Sequence, residues 1–168
     1  MKRIGLLSDT HSYLDEAVFK HFDSCDEIWH AGDFGNIKLV DALAAFKPLR
    51  GVYGNIDGTE VRAMFPEQNR FTCEEVDVYM IHIGGYPKHY QPIVKNVMQV
   101  NPPKLFISGH SHILKVIYDK DYACLHLNPG AAGKHGWQKV RTLLRFVIDG
   151  NSIQNMELIE LGSSKGVK

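Results

Sequence analysis

No stretch of this chain approaches the ~20 consecutive apolar residues that a membrane-spanning helix requires, so membrane association is not expected. Net charge is missing too. Lys+Arg and Asp+Glu number 19 each, which leaves no bulk basic field to hold long nucleic acid or an anionic surface. Cysteine is scarce: Cys25, Cys73 and Cys124 stand apart, odd in number, with no Cys-x-x-Cys pair. They read as small apolar side chains rather than as a zinc site or a disulfide framework. The apolar part of the start ends at Ser8-Asp9, short of the roughly 7–15 residues of a signal core, and a cytoplasmic address is expected. Internal repeats, low-complexity tracts and linkers are also lacking. With 168 residues, 44% hydrophobic and 23% charged, the chain suits one globular domain over 1–168.

What is present is organised in two halves. Arg3–Ser8 reads as a buried strand that runs into Asp9-Thr10-His11. Leu14, Ala17, Val18 and Phe22 share one helical face. Asp26–His30 is a second strand, ending at Ala31-Gly32-Asp33, and Ile37, Val40, Leu43 and Ala44 mark a second helix closed before Pro48. Leu49–Tyr53 is a third strand, leading into Gly54-Asn55-Ile56-Asp57-Gly58. This β-α-β-α-β order implies parallel strands with right-handed crossovers.

The second half is richer in strands. Phe71–Val76 and Val78–Ile83 are expected to pair through a turn at Asp77, and Pro92–Val100 is a helix ended by Asn101-Pro102-Pro103. Leu105–Ser108 delivers Gly109-His110-Ser111-His112. Lys115–Tyr118, Cys124–Leu127, Thr142–Ile148 and Ile153–Leu161 follow as strands, the last two joined by the Asp149-Gly150-Asn151 turn. The tail, Gly162–Lys168, is expected to fray. The sum is an α/β chain: a four-layer α/β/β/α sandwich of two mixed β-sheets flanked by helices.

Ligands of parallel α/β sheets bind beyond the carboxyl ends of the strands. Asp9, Asp33, Asn55 and His110 each follow a strand closely, and His82 lies in its apolar run just before Gly84-Gly85. On extended backbone, Asp9 with His11, and His110 with His112, would project to one side. Each element alone has an ordinary reading: a helix cap, a turn, a satisfied strand histidine. Together they offer two Asp, one Asn and four His. Seven ligands exceed the four of a closed structural zinc site and suit two metals sharing a carboxylate.

The series Asp-x-His, Gly-Asp, Gly-Asn, His, Gly-His-x-His resembles the calcineurin-like metallophosphoesterase superfamily. With the short length and Leu127-Asn128-Pro129-Gly130, it is similar to the small single-domain bacterial and archaeal phosphodiesterase branch. The resemblance implies a dinuclear centre of two divalent metal ions, manganese first, with iron, zinc or nickel as alternatives. By the same resemblance Asp9, His11 and His112 hold one metal, Asn55, His82 and His110 hold the other, and Asp33 bridges them. The implied activity is phosphodiester hydrolysis of a small phosphate-ester substrate by water acidified between the cations, with Asn55 also touching phosphate. A phosphomonoesterase, or a non-catalytic protein-binding scaffold like the small retromer subunit, are the alternatives, and a homodimer is allowed.

One position departs from the pattern. Where many members carry histidine after the asparagine, this chain has Ile56, followed by Asp57. Isoleucine donates no proton, so good leaving groups are expected, or a donor from elsewhere such as His89 or a metal-bound water. Among the other polar residues, His30 reads as a buried strand histidine or a hydrogen-bond partner of a ligand. His21 and His126 carry no signal, and His135 a faint one. Asn128–Gly133 is either an anion-facing turn or a plain one, and Arg141 either a phosphate contact or a strand-end salt bridge.

Overall fold

Strands covered on both faces read as continuous apolar runs rather than as alternating ones. Two early segments do so: β1 (Lys2–Leu7), buried throughout Ile4–Leu7, and β2 (Glu27–His30), buried at every residue. The computed structural model, which describes residues 1–165, pairs them in parallel with Gly5 opposite Ile28 and adds the parallel β3 (Leu49–Gly51) beside β2. The crossovers are α1 (Ala17–Phe22) and α2 (Ile37–Phe46). Asn36 caps α2 by accepting the Leu39 amide at 3.0 Å, satisfying one of the donors that a helix start leaves free. A third helix, α3 (Thr59–Met64), follows β3.

The chain then builds a second sheet. The hairpin β4 (Gln68–Cys73) and β5 (Val76–Ile81) comes first, then a two-stranded ribbon of β6 (Gly85–Tyr86) and β7 (His89–Tyr90). After α4 (Pro92–Val100) come β8 (Leu105–Ile107), β9 (Lys115–Asp119) and β10 (Cys124–Asn128), giving the order β4-β5-β8-β10-β9. The chain returns to the first sheet through β11 (Val140–Asp149) and β12 (Ser152–Ser163), which completes the order β12-β11-β1-β2-β3. Both sheets are mixed.

Period-two geometry then sorts side chains into layers. Leu6 and Trp29 point between the sheets, where they meet Met80, Ile107, Leu127 and Phe146. Their neighbours Leu7 and Ile28 face outward against Val18 and Phe22 of α1 and Val40 and Leu43 of α2. On the far side, Tyr79, Ile81 and Phe106 pack on Val94 and Met98 of α4. This is the four-layer α/β/β/α sandwich anticipated from the sequence. Each Val, Leu, Ile, Phe or Met side chain fully buried in these layers contributes about 1.5–3 kcal/mol, and all three cysteines are buried, free members of them.

Four local expectations are corrected. The β4–β5 turn falls at Glu74-Glu75, not at Asp77, which lies within β5 opposite Thr72. Glu74 has φ 52°, the left-handed conformation that a tight turn demands. His82 follows β5 rather than lying inside a strand. The tail is not frayed from Gly162. β12 runs to Ser163, and Ser164 is buried, its hydroxyl donating to the Gln138 carbonyl. The remainder of that expectation, 166–168, lies outside the described residues. The fourth correction concerns the extended backbone assumed for Asp9-Thr10-His11 and His110-Ser111-His112, which is not found.

Candidate metal centre

Where β1, β2 and β8 end, the chain turns into left-handed conformations. Asp9 has φ 54°, His11 45°, Asp33 58°, His110 68° and His112 60°. Positive φ at so many residues other than glycine is uncommon, and each, at a cost of about 1–3 kcal/mol, persists only where the surroundings over-determine it. Here they do. The loop after β1 is laced to the loop after β2, with Asp9 N donating to Gly32 O and His11 N to Asp33 O, both at 3.0 Å. Gly109 N donates to His82 O at 3.0 Å, and His110 N to Asp9 Oδ2 at 3.1 Å. Turned loops, not pleated strands, deliver these side chains. That is why His110 and His112 reach different places.

The Gly54–Gly58 loop is held by charge. Asp57, almost fully buried, accepts the amides of Gly54 (2.8 Å), Gly35 (2.9 Å) and Phe34 (3.2 Å). A Cβ on Gly54 would strike Asp33 Oδ1, the oxygen that also accepts the Ile56 amide at 3.1 Å. Glycine at 54 therefore lets backbone lie against the Asp33 carboxylate, and Asn55 is carried in beside it. Asn55 Oδ1 lies 3.0 Å from His110 Nδ1.

Two groups of ligand atoms result, Asp9 with His11 and His112, and Asp33 with His82 and His110, the atoms of each lying within 4.8 Å of one another. Asp33 Oδ2 is 3.2 Å from His82 Nε2 and 3.4 Å from His11 Nε2, so it stands between the groups. Asp9 Oδ1 is 3.1 Å from His112 Nε2. All seven sequence-selected residues thus meet at one place.

Their protonation follows from the crowding. Burial alone would raise Asp9 and Asp33. The imidazoles of His11 and His112 close to Asp9, and of His11 and His82 close to Asp33, overcome it and hold both carboxyls well below the ordinary range. Asp33, then Asp9, push His11 up to about 9. Two buried carboxylates therefore draw positive charge into the site.

A divalent cation fits that demand. His11 Nε2 and His82 Nε2 are buried without a hydrogen-bond partner, a costly state for polar nitrogen unless something else occupies it. The other ring nitrogen is already committed in two cases, since His82 Nδ1 lies 2.7 Å from the Ala31 carbonyl and His112 Nδ1 2.8 Å from Gln138 Oε1. Each acceptor requires the proton on Nδ1, which turns the Nε2 lone pair inward, as a metal-binding histidine needs. The donor set of imidazole, carboxylate and amide suits manganese, iron, zinc or nickel more than calcium.

Side chains beyond the seven support the centre. Gln138 fixes His112, and its amide is anchored on the carbonyls of Gly133 (3.0 Å) and His135 (2.7 Å). Asn128 steadies the His110 loop by donating to Gly109 O and Ser111 Oγ, both at 3.1 Å, so its turn is structural. Arg62 of the unanticipated α3 donates to the carbonyls of Asp57 and Asn55 at 2.6 and 3.3 Å. His135 stacks on His11 with ring centroids 4.7 Å apart.

The remaining polar residues resolve simply. His30 is buried and stacked 3.6 Å from Phe34. It accepts the Gly32 amide on Nδ1 and places Nε2 3.0 Å from Thr10 Oγ1, whose proton goes to Phe34 O. Burial pushes it down to about 3, so it is neutral. Arg141 makes the salt bridge, to Asp15 at 2.8 Å. His89 is exposed on β7 but lines a cavity with His110.

Fold and site together define an α/β sandwich with a buried carboxylate–imidazole centre at the carboxyl ends of its strands. Residues 1–151 match the calcineurin-like phosphoesterase superfamily domain, and the chain belongs to that superfamily. It is 32% identical over 136 residues to a probable metallophosphoesterase of Methanothermobacter thermautotrophicus, covering 76% of each chain. A probable metallophosphoesterase of Methanocaldococcus jannaschii is 29% identical over 134 residues, covering 76% of this chain and 67% of its own. Among solved structures, an archaeal phosphodiesterase superposes with TM-score 0.77 at 18% identity, covering 95% of this chain and 99% of its own. Vps29 of Chaetomium thermophilum superposes with TM-score 0.75 at 15% identity, covering 97% and 99%. At that identity the likeness is one of fold. No helix among the described residues is long and apolar enough to cross a membrane.

Proposed function

We propose that the protein is a dinuclear metal-dependent phosphodiesterase acting on a small phosphate ester rather than on long nucleic acid. The observation that carries the reading is Asp33 Oδ2, flanked at 3.2 and 3.4 Å by two buried imidazole nitrogens that have no other partner. In this reading Asp9, His11 and His112 hold one cation, Asn55, His82 and His110 the other, and Asp33 bridges them; manganese is the expected metal. When bound, such a pair supplies Lewis acidity, lowering the pKa of water and taking up charge from the phosphate.

The chain's own residues supply the rest. Asn55 brings an uncharged oxygen, leaving more positive charge facing an anionic substrate. Gln138 and the Ala31 carbonyl keep His112 and His82 turned inward. Ile56, 46% exposed, offers the leaving oxygen no proton, which favours esters of acidic alcohols. A steep dependence of rate on leaving-group pKa is the expected outcome.

The test is metal analysis of the purified protein together with hydrolysis of bis-p-nitrophenyl phosphate and p-nitrophenyl phosphate with added manganese. Two bound metals and faster diester cleavage, lost in Asp33→Asn, are expected. Faster monoester cleavage would make the protein a phosphomonoesterase. Neither metal nor turnover would leave the scaffold reading, which shares its fold with Vps29; the complete set of seven ligand side chains argues against it.

A further inference from the structure

The candidate centre opens into a groove that none of its ligands explains. Beside His110 lies a cavity of about 200 Å³ whose walls include Ser111, Tyr86, His89 and Lys115. Tyr86, His89 and Lys115 also line a second cavity of about 530 Å³, which extends outward to Lys88, Lys120 and Tyr118. The two cavities therefore share one wall, formed by the β6–β7 ribbon and the start of β9. The outer one alone is within the about 300–1,000 Å³ usual for a small-molecule site.

Its chemistry is specific. Lys115 Nζ lies 4.3 Å from the centre of the Tyr86 ring, and the His89 ring is 4.9 Å from it. Tyr86 stays 37% exposed. No carboxylate among the described residues forms a salt bridge with Lys88, Lys115 or Lys120. Of the two acids in the wall, Asp119 is already engaged, accepting the Tyr90 hydroxyl at 2.6 Å and the Asp121 amide at 3.0 Å. The other acid, Asp121, pairs with none of these lysines, and Lys115 lies over one face of the Tyr86 ring. Lysines without a carboxylate partner beside a part-exposed aromatic ring match a ligand that is planar at one point and anionic at another.

We propose that this groove seats the larger arm of the substrate and that the arm is a nucleotide, with its base against Tyr86 and a second phosphate between Lys115 and Lys120. The substrate class is then a short nucleotide diester carrying a terminal phosphate. The inference rests on the phosphodiesterase reading for its first phosphate only. Stacking on an aromatic side chain tolerates any base, so selectivity for the terminal phosphate is expected to exceed selectivity among bases. The two lysines recognise that phosphate as point charges.

The experiment compares 5′-phosphorylated diadenylate with unphosphorylated diadenylate, and uses bis-p-nitrophenyl phosphate as a substrate too small to fill the groove. In the wild type kcat/KM should favour the phosphorylated dinucleotide by about 10-fold or more. The Lys115→Gln/Lys120→Gln double variant should erase that preference. Tyr86→Leu should lower both dinucleotides about 10-fold, and in every variant bis-p-nitrophenyl phosphate should lose less than the phosphorylated dinucleotide does. A second readout needs no turnover: calorimetric binding of adenosine 3′,5′-bisphosphate to the wild type, weakened at least about 10-fold by the lysine pair of substitutions. Failure of all hydrolysis with that binding intact would sink the phosphodiesterase reading and sustain the groove. Equal rates on the two dinucleotides, or bisphosphate binding that is absent or indifferent to the lysines, would overturn the groove.

Discussion

Replacing Asp57 with alanine strips the acceptor from three amides at once, those of Gly54, Gly35 and Phe34. Hydrogen bonds to a charged partner contribute about 1.5–3 kcal/mol each, and orphaned amides cost more. Asp57→Ala should therefore lower unfolding free energy by at least about 3 kcal/mol, read by urea denaturation of metal-free protein. An unchanged midpoint would mean that the Gly54–Gly58 loop is held by something else. Gln138 tests the opposite property. Gln138→Leu removes the acceptor at 2.8 Å from His112 Nδ1 and should weaken manganese binding by about 10–100-fold, measured by metal titration. The Asp9, Asp33 and His110 positions were legible because chemistry requires those residue types after strands. Gln138 was not, since an amide that orients an imidazole has no characteristic spacing; it meets His112 only through the fold.

Elements were legible where periodicity was strong. α4 begins and ends where Pro92 and the Asn101-Pro102-Pro103 run place it. Its buried face, Val94 and Met98, is the fourth layer. Met98→Ala should cost about 2–5 kcal/mol, while Val100→Ala, at a position 77% exposed, should cost less than about 0.5 kcal/mol. Equal effects in denaturant titrations would contradict the packing of α4 on β5 and β8. Elements were missed where they are short. α3 has six residues and a single buried one, Val61, too little for a 3.6-residue period to register. The β6–β7 ribbon has two residues per strand. The loop conformations at the centre were hidden for another reason. Left-handed backbone at Asp9, His11, His110 and His112 is imposed by long-range bonds between loops, so no local pattern encodes it.

At the scale of the whole molecule, acid should unfold the metal-free protein through its neutral buried histidines. His30 is pushed down to about 3 by burial and His126 to about 4 by the same cause. The ordinary value for both is 6.5, so below it the unfolded chain takes up protons that the native state refuses. Unfolded protons then exceed native ones, and stability falls with falling pH by about 1.4 kcal/mol per unit for each histidine. The window for the pair runs from 6.5 down to about 4, below which only His30 continues. His11 has the opposite sign. Raised to about 9, it contributes stability that is complete below 6.5 and lost only as pH climbs through 9, so it adds no slope inside the window. Asp9 and Asp33, depressed from 3.8, lose their contribution only below that value. Glu27, held below its ordinary 4.5 against burial by Trp29 and Arg50, adds a loss of the same sign at the acid end. The slope between pH 6.5 and 4.5 therefore reports the buried histidines, with His110, also pushed down by burial, adding in the same direction. Urea denaturation with a chelator at several pH values should show stability declining across the window. His126→Gln, which keeps a polar side chain beside Phe106 but cannot titrate, should flatten that slope by about one proton. A variant slope equal to the wild type would show that His126 is not held neutral in the third layer, and with it that the β8–β10 face is open to water.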